Sequence, residues 1–281
     1  MSHFLQFAEE RGLVFSNSPI MHRWARTSTI DHPHKKNGAY IFYGDFGVVQ
    51  NWATMQEAET WFSDLAQTPF EKELQEAKLK SAQKQYAQQR ADGQRKAAAK
   101  AKWILSQCEL DCHAYLDSKG FPEMRGNVWR KPDCDPLLVV PMYCGDTLCG
   151  CQLVDITGQK KFLTGQRTND SYFKIGQSGR DILCEGYATA ISIHAILAAA
   201  RMPATIYAAF SVGNATRLAK THPSAFWIAD NDVSGVGQKA AAESGLKYWM
   251  PPESGTDAND WHKSVGLFRA TMELKKVLLA R

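Results

Sequence analysis

The sequence lacks any stretch long and apolar enough to span a bilayer. Its longest candidate, 188–200, is short and is interrupted by Ser192 and His194. The opening Met-Ser-His-Phe-Leu-Gln-Phe carries neither a basic region nor a cleavage site, so no secretory signal is expected and the cytosol is the expected compartment. No Gly-x4-Gly-Lys-Ser/Thr loop occurs, which excludes a P-loop motor. The Cys-x2-Cys knuckle of a zinc module is missing too. The seven cysteines, at 108, 112, 134, 144, 149, 151 and 184, are an odd number and read as small buried thiols rather than disulfides or zinc ligands. Charge of one sign is scarce: 33 basic against 29 acidic residues leave a net +4, so the placement of charge matters more than its sum. What remains, 281 residues with 44% hydrophobic and 22% charged content, suits one large globular domain or two small ones.

The most patterned region is 181–262. Asp181-Ile-Leu-Cys-Glu185-Gly186 is a short apolar run ending in a carboxylate and a glycine, and a long apolar helix is predicted from Tyr187 to Ala200. Ala204 to Phe210 reads as a second strand, ending at Ser211-Val-Gly213-Asn214. Ala225-Phe-Trp-Ile-Ala229 reads as a third and delivers Asp230-Asn231-Asp232 at its C-terminal end. Strand, helix, strand, helix, strand predicts an α/β fold with a parallel sheet of buried strands. Ligands bind such sheets outside the carboxyl ends of the strands, where Glu185, Asp230 and Asp232 fall. Three converging carboxylates need a cation, and all-oxygen ligands suit Mg²⁺ or Mn²⁺. Taken alone, Asp-Asn-Asp also fits a loop and helix N-cap.

These residues carry a resemblance. Glu185-Gly186-Tyr187, then Asp230-Asn-Asp232-x-x-Gly235 followed by Ala240, resembles the Toprim domain shared by bacterial primases, topoisomerases and some nucleases. Pro252-Glu-Ser-Gly255-Thr-Asp257-Ala-Asn259-Asp260 is similar to the Pro-x-Gly-x-Asp-Pro-Asp segment of bacterial primases. Leu138-Val-Val-Pro141, Gly150-Cys-Gln152 and Lys160-Lys-Phe-Leu-Thr-Gly165 resemble the subdomain before Toprim in their catalytic cores. The likeness, to primase-like proteins of phages and plasmids, runs from His22 to His262. It implies a Toprim-like parallel sheet flanked by helices, with metal held by Glu185, Asp230, Asp232, Asp257 and Asp260. It also implies a catalytic role for Glu185, Asp230, Asp232 and Lys161. The sequence departs from the family at Thr189, where bacterial primases carry Asp, and at Asn259, which replaces an acid beside Asp260. Lys160, Lys161, Arg167 and Lys174 gather before the Toprim strand, and by the resemblance they face template or nucleotide phosphates.

Four parts are expected. Residues 1–68 form a small β-rich module, with strands at Ile20–Arg26, Ala39–Tyr43 and Gly47–Trp52 and a helix from Thr54 through Leu65. Its Tyr40, Tyr43 and Trp52 fill a small core or stack on bases of single-stranded DNA. Residues 69–102 form a basic helical linker: 70–102 holds nine Lys/Arg against four Asp/Glu, and Asp92-Gly93 is a potential break. Such a helix is a solvated spacer, and Lys84, Arg90, Arg95 and Lys96 would also let it lie along nucleic-acid phosphates. Residues 103–180, the subdomain before Toprim, begin with an amphipathic helix from Trp103 to Gly120. An antiparallel meander follows through Leu137–Pro141, Thr147–Ile156 and Gln159–Leu163. Residues 181–281 are the Toprim domain, closed by a helix from Val265 to Leu279.

The resemblance implies a nucleotidyltransferase: a Mg²⁺- or Mn²⁺-dependent, DNA primase-like enzyme making short RNA primers on single-stranded DNA during phage or plasmid replication, in the cytosol of a bacterial host. Its partners would be single-stranded DNA and ribonucleotides, with a separate helicase or zinc-module protein and no membrane. Two alternatives stay open. One is a Toprim nuclease, in which the same carboxylates direct water at a phosphodiester. The other is a non-catalytic DNA- or protein-binding Toprim protein that regulates host or defence machinery.

Overall fold

The computed structural model describes residues 2–55, 57–63 and 69–279, and internal contacts divide the chain into two units, 1–89 and 90–281. The first unit is built on an antiparallel sheet. Helix α1 (Ser2–Glu9) leads into β1 (Leu13–Val14), β2 (Ala25–Thr29), β3 (Gly38–Phe42), β4 (Phe46–Asn51) and β5 (Glu59–Phe62), which pair in chain order. Phe4 of α1 stacks on Phe42 with ring centroids 4.5 Å apart, and Leu13, Tyr40 and Val49 complete that core.

Three sequence expectations change here. Helix α1 was not expected at all. In place of a helix from Thr54 to Leu65 the chain forms β5, because Thr60, Trp61 and Phe62 favour extended backbone and pair with Phe46–Val48 of β4. Residues 56 and 64–68 of that stretch lie outside the described residues. The strand expected from Ile20 begins only at Ala25, since His22 takes a left-handed φ of 62° that no strand accommodates.

Helix α2 (Pro69–Ser106) runs through Asp92-Gly93 without a break. The division between the units falls inside it, and its two halves have different surroundings. In the first unit Ala82 is buried and Tyr86 lies against Trp24. In the second, Ala97, Ala101 and Ile104 are buried against Val139, Cys151 and Leu163, so this part is core rather than solvated spacer.

The second unit holds two sheets. The first comprises β6 (Cys108–Asp111), then after helix α3 (Ala114–Ser118) β7 (Gly126–Trp129), β8 (Leu137–Cys144), β9 (Thr147–Val154) and β10 (Lys160–Phe162). All its neighbours are antiparallel. The helix expected to run from Trp103 to Gly120 is interrupted: β6 pairs with β7, and His113, whose Nδ1 accepts the Tyr115 N–H at 3.1 Å, caps α3. Cross-strand pairing overrides helix propensity there.

The other sheet is made by β11 (Phe173–Ile175), β12 (Arg180–Cys184), β13 (Ala204–Ala208), β14 (Phe226–Ile228) and β15 (Lys247–Trp249). Helices α4 (Tyr187–Ala199), α5 (Val212–Thr221) and α6 (Val236–Glu243) lie between its strands in sequence, and α7 (Ala258–Leu279), kinked at Gly266, closes the chain. The strand order is β11-β13-β12-β14-β15, with β11 an antiparallel edge and the other four parallel. The expected parallel sheet is therefore one of three among the described residues, and the fold is mixed α/β. Ile182, Ile206 and Ile228 pack with α4 and α7 residues such as Ile193 and Leu274. Leu183, Tyr207 and Trp227 pack on the opposite face with Leu218 of α5 and Ala241 of α6. Cover on both faces explains why these strands read as continuous apolar runs. Tyr187 and Ile191 of α4 also pack with Leu138, Val140 and Val154, which fixes the two sheets of this unit to each other. All seven cysteines are free; Cys149, Cys151 and Cys184 are buried as expected, whereas Cys112 and Cys134 are exposed. Among the described residues no helix is long and apolar enough to cross a membrane.

Candidate metal and nucleotide site

Glu185 and Asp230 leave the same edge of the sheet because β12 and β14 are parallel neighbours, paired Ile182↔Phe226 and Leu183↔Trp227. Asp232 follows in the loop before α6. Asn231 ties that loop to the next one: its N–H donates to Thr256 O at 3.0 Å, its carbonyl accepts the Gly255 N–H at 2.6 Å, and its side chain donates to Pro251 O at 2.9 Å. This stitching brings Asp257 and Asp260, at the start of α7, within electrostatic reach of Asp230.

The carboxylates differ in environment. Burial, then the charges of Asp230 and Asp232, pushes Glu185 up to about 8, although the Asp230 backbone N–H pulls the other way. Burial and the Asp257 charge push Asp230 up to about 7, partly offset by Lys160. Glu185 Oε1 and Asp230 Oδ1 are enclosed with no hydrogen-bond partner. Asp232 is held below the usual carboxylate range, chiefly by the Ser234 hydroxyl at 2.6 Å. Asp257 Oδ1 accepts the Asn259 and Asp260 N–H groups at 2.8 and 2.9 Å, so it serves as the N-cap of α7.

Among the described residues no three His, Cys, Asp or Glu side chains stand close enough to enclose a metal ion. The donors at the strand ends are all oxygen, the chemistry that a hard divalent cation takes. A Cβ on Gly237 would lie 3.2 Å from Glu185 Oε1, 3.6 Å from Asp232 Oδ2 and 2.8 Å from the Asp230 carbonyl oxygen. The missing side chain thus keeps a hollow lined by oxygen atoms. Buried carboxylate oxygens without a proton donor, in all-oxygen surroundings, are satisfied by a hard divalent cation.

The basic residues do not act as one group. Strand alternation in β10 sends Lys160 and Phe162 to one side and Lys161 to the other. Lys160 is the one coupled to Asp257 and Asp230, and its ammonium is crowded enough that desolvation, then the charge of Lys119, lowers its pKa. Phe162 meets Phe210 with ring centroids 6.0 Å apart, and the Phe210 N–H donates to the Glu185 carbonyl at 2.7 Å. The charge of Lys161, expected to be catalytic, contributes to lowering the pKa of Asp155. Arg167 is engaged by Asn169 O at 3.0 Å and Asp170 Oδ2 at 2.9 Å, and Lys174 is exposed on the edge strand β11.

Comparison with known proteins adds little. No protein-family model matches the sequence, and no curated protein does. Among solved structures the chain is similar to a DNA primase domain from Pseudomonas aeruginosa, at 18% identity and a TM-score of 0.32. The match spans 52% of this chain and 55% of that one, and at this level it carries no argument.

Two further residues stand at the site; the segment Tyr115 to Gly120 resembles an element that precedes the primase core, but neither residue was assigned to the site. Lys119 Nζ lies 3.9 Å from Asp260 Oδ1. The Tyr115 hydroxyl is buried and unpartnered, and its pKa is raised by burial and then by the Asp257 charge. Both belong to α3 and its C-cap, which the sequence pattern merged into a longer helix. Thr189 and Asn259, the two departures from the primase pattern, are buried. Asn259 Nδ2 donates to Lys119 O at 2.8 Å and Ser192 Oγ at 2.9 Å, which makes it a packing bridge. On α2, Lys84, Arg90 and Lys96 are exposed, as is Arg95, which pairs with Asp92. In the first unit Tyr40 is core, its hydroxyl accepting the Ile20 N–H at 3.0 Å, while Trp52 is exposed beneath Arg26.

Proposed function

We propose that the strand-end carboxylates form a divalent-cation site for phosphoryl transfer on nucleic acid, in a Toprim-type, primase-like protein that joins ribonucleotides on single-stranded DNA. The observation that carries this reading is the pair of enclosed, unpartnered oxygens, Glu185 Oε1 and Asp230 Oδ1, at the ends of adjacent parallel strands. Neither a core nor a helix cap leaves carboxylate oxygens in that state without cost.

Glu185, Asp230 and Asp232 would hold Mg²⁺ or Mn²⁺, with Asp257 and Asp260 adding negative charge at the rim. When bound, such a cation neutralises phosphate charge and activates the attacking oxygen. Lys160 and Lys119 would attract and orient the triphosphate of an incoming nucleotide across the rim. The Tyr115 hydroxyl is buried beneath the rim and does not reach solvent. Exposed Lys84, Arg90, Arg95 and Lys96 would hold the strand through its phosphates. A helicase or zinc-module protein would direct the chain to its template.

Thr189 and Asn259 put no charge where the primase pattern has acids, and this favours a second reading, a non-catalytic DNA-binding protein. One assay separates the possibilities. Labelled single-stranded DNA is incubated with ribonucleotides and Mg²⁺ or Mn²⁺ and scored for extension and cleavage, with Glu185→Gln as the control. Extension lost in the variant supports the primase-like reading, and cleavage lost in the variant makes the site a nuclease. Binding without either product leaves a binding protein.

A further inference from the structure

The first unit carries a cavity of 290 Å³ with no part in the carboxylate chemistry. We propose that it binds an unpaired nucleobase together with its phosphate, and so is a nucleotide subsite for single-stranded nucleic acid. Its walls are two ring pairs: Trp24 against Tyr86, with centroids 4.5 Å apart, and His22 against Tyr43 at 5.3 Å. Buried Ile41 and Ala82 supply an apolar floor.

The helix side of the cavity is arranged by sequence spacing. Ala82, Gln85, Tyr86 and Gln89 follow the i, i+3, i+4, i+7 pattern, so one face of α2 presents a ring and two amides together. The Lys78–Asp45 ion pair at 4.0 Å, one turn earlier on the same face, sets that face against the β3–β4 turn. On the opposite side the His22 N–H donates to Phe42 O at 2.9 Å, and this pins a non-glycine residue at a φ of 62° beside the cavity.

The polar groups at the exposed rim match a nucleotide. Among the described residues the Gln85 and Gln89 amides and the Arg23 guanidinium have no hydrogen-bond or ion-pair partner. A nucleobase offers a flat π face to the rings, edge donors and acceptors to the amides, and an adjacent phosphate to Arg23. The volume lies near the lower end for small-ligand pockets, which suits one base rather than a duplex. This inference does not rest on the carboxylate site, since a chain unable to bind a cation would still bind the base.

The test uses the full chain in EDTA, with a fluorescein-labelled oligothymidylate and a duplex of equal length as probes read by anisotropy. Tyr86→Ala is expected to weaken oligothymidylate binding about 5- to 100-fold while leaving duplex binding unchanged. Arg23→Ala and Gln89→Ala, both at exposed positions, are expected to keep the wild-type melting temperature and weaken single-strand binding in the same direction. Competition by AMP separates the sources: displacement supports capture of a free nucleotide, and lack of displacement with intact oligonucleotide binding supports a base held within a strand. If Tyr86→Ala unfolds the module, the two exposed variants decide. Unchanged oligothymidylate affinity in folded Arg23→Ala and Gln89→Ala would overturn the proposal.

Discussion

Removing one carboxylate from the strand-end cluster should stabilise the metal-free protein at alkaline pH. Glu185 has an ordinary pKa of 4.5 and about 8 in the fold, so the folded state binds a proton that the unfolded chain has released. Because the folded value is the higher one, stability falls as pH rises from the lower value through the upper one. Below that window Glu185 is protonated in both states and costs nothing. At about 1.4 kcal/mol per pKa unit, the ionised form costs the metal-free fold up to roughly 5 kcal/mol. Asp230 relaxes when its neighbour is neutral, so the gain from Glu185→Gln is smaller, about 2–3 kcal/mol near pH 9. In a unit of this size that raises the melting temperature by about 5–10 °C. The assay is thermal unfolding by circular dichroism in EDTA, from about pH 4 to about pH 9, for wild type and Glu185→Gln. The curves should coincide at the acid end and separate at the alkaline end, and Mn²⁺ should raise the wild type far more than the variant. Parallel curves at every pH, with no cation effect on either protein, would refute the reasoning.

Lys160→Ala should raise the nucleotide KM about tenfold or more, whereas Lys161→Ala should change it less than about threefold, measured by steady-state primer extension. Asn259→Asp, which restores an acid of the primase pattern, should destabilise the fold by about 3 kcal/mol in denaturant unfolding, because it replaces a buried amide donor facing Lys119 O with a charge. Exchanging Lys84, Arg90, Arg95 and Lys96 for Gln together should lower the slope of log affinity against log salt for single-stranded DNA by about 2–3, read from binding titrations at several salt concentrations.

The parallel strands β12, β13 and β14 were legible because they are covered on both faces and therefore read as uninterrupted apolar runs, and the carboxylates fell where such strands end, whereas β15 has exposed residues and was not foreseen. The β8–β9–β10 meander was legible from its turn residues. What escaped the sequence were features decided by distant partners. Cys108–Asp111 is a strand only because Gly126–Trp129 lies beside it, and β5 owes its extended form to β4. Helix α1 holds only eight residues, and Phe4 and Ala8 gain their place from the sheet they cover. At the site, the choice between Lys160 and Lys161 depends on which way a three-residue strand turns its alternate side chains, and neighbouring lysines give no hint of that. Asn259 read only as the loss of an acid because its partners, Lys119 O and Ser192, lie far away in sequence.

The central claim is that Glu185 and Asp230 hold a divalent cation, and Mn²⁺ binding followed by electron paramagnetic resonance tests it most directly. The free Mn²⁺ signal should fall on adding wild-type protein, Mg²⁺ should compete it back, and Glu185→Gln combined with Asp230→Asn should abolish the uptake while the protein stays folded. Uptake of Mn²⁺ by the double variant equal to that of the wild type, or no uptake by wild type at millimolar Mn²⁺, would contradict the account.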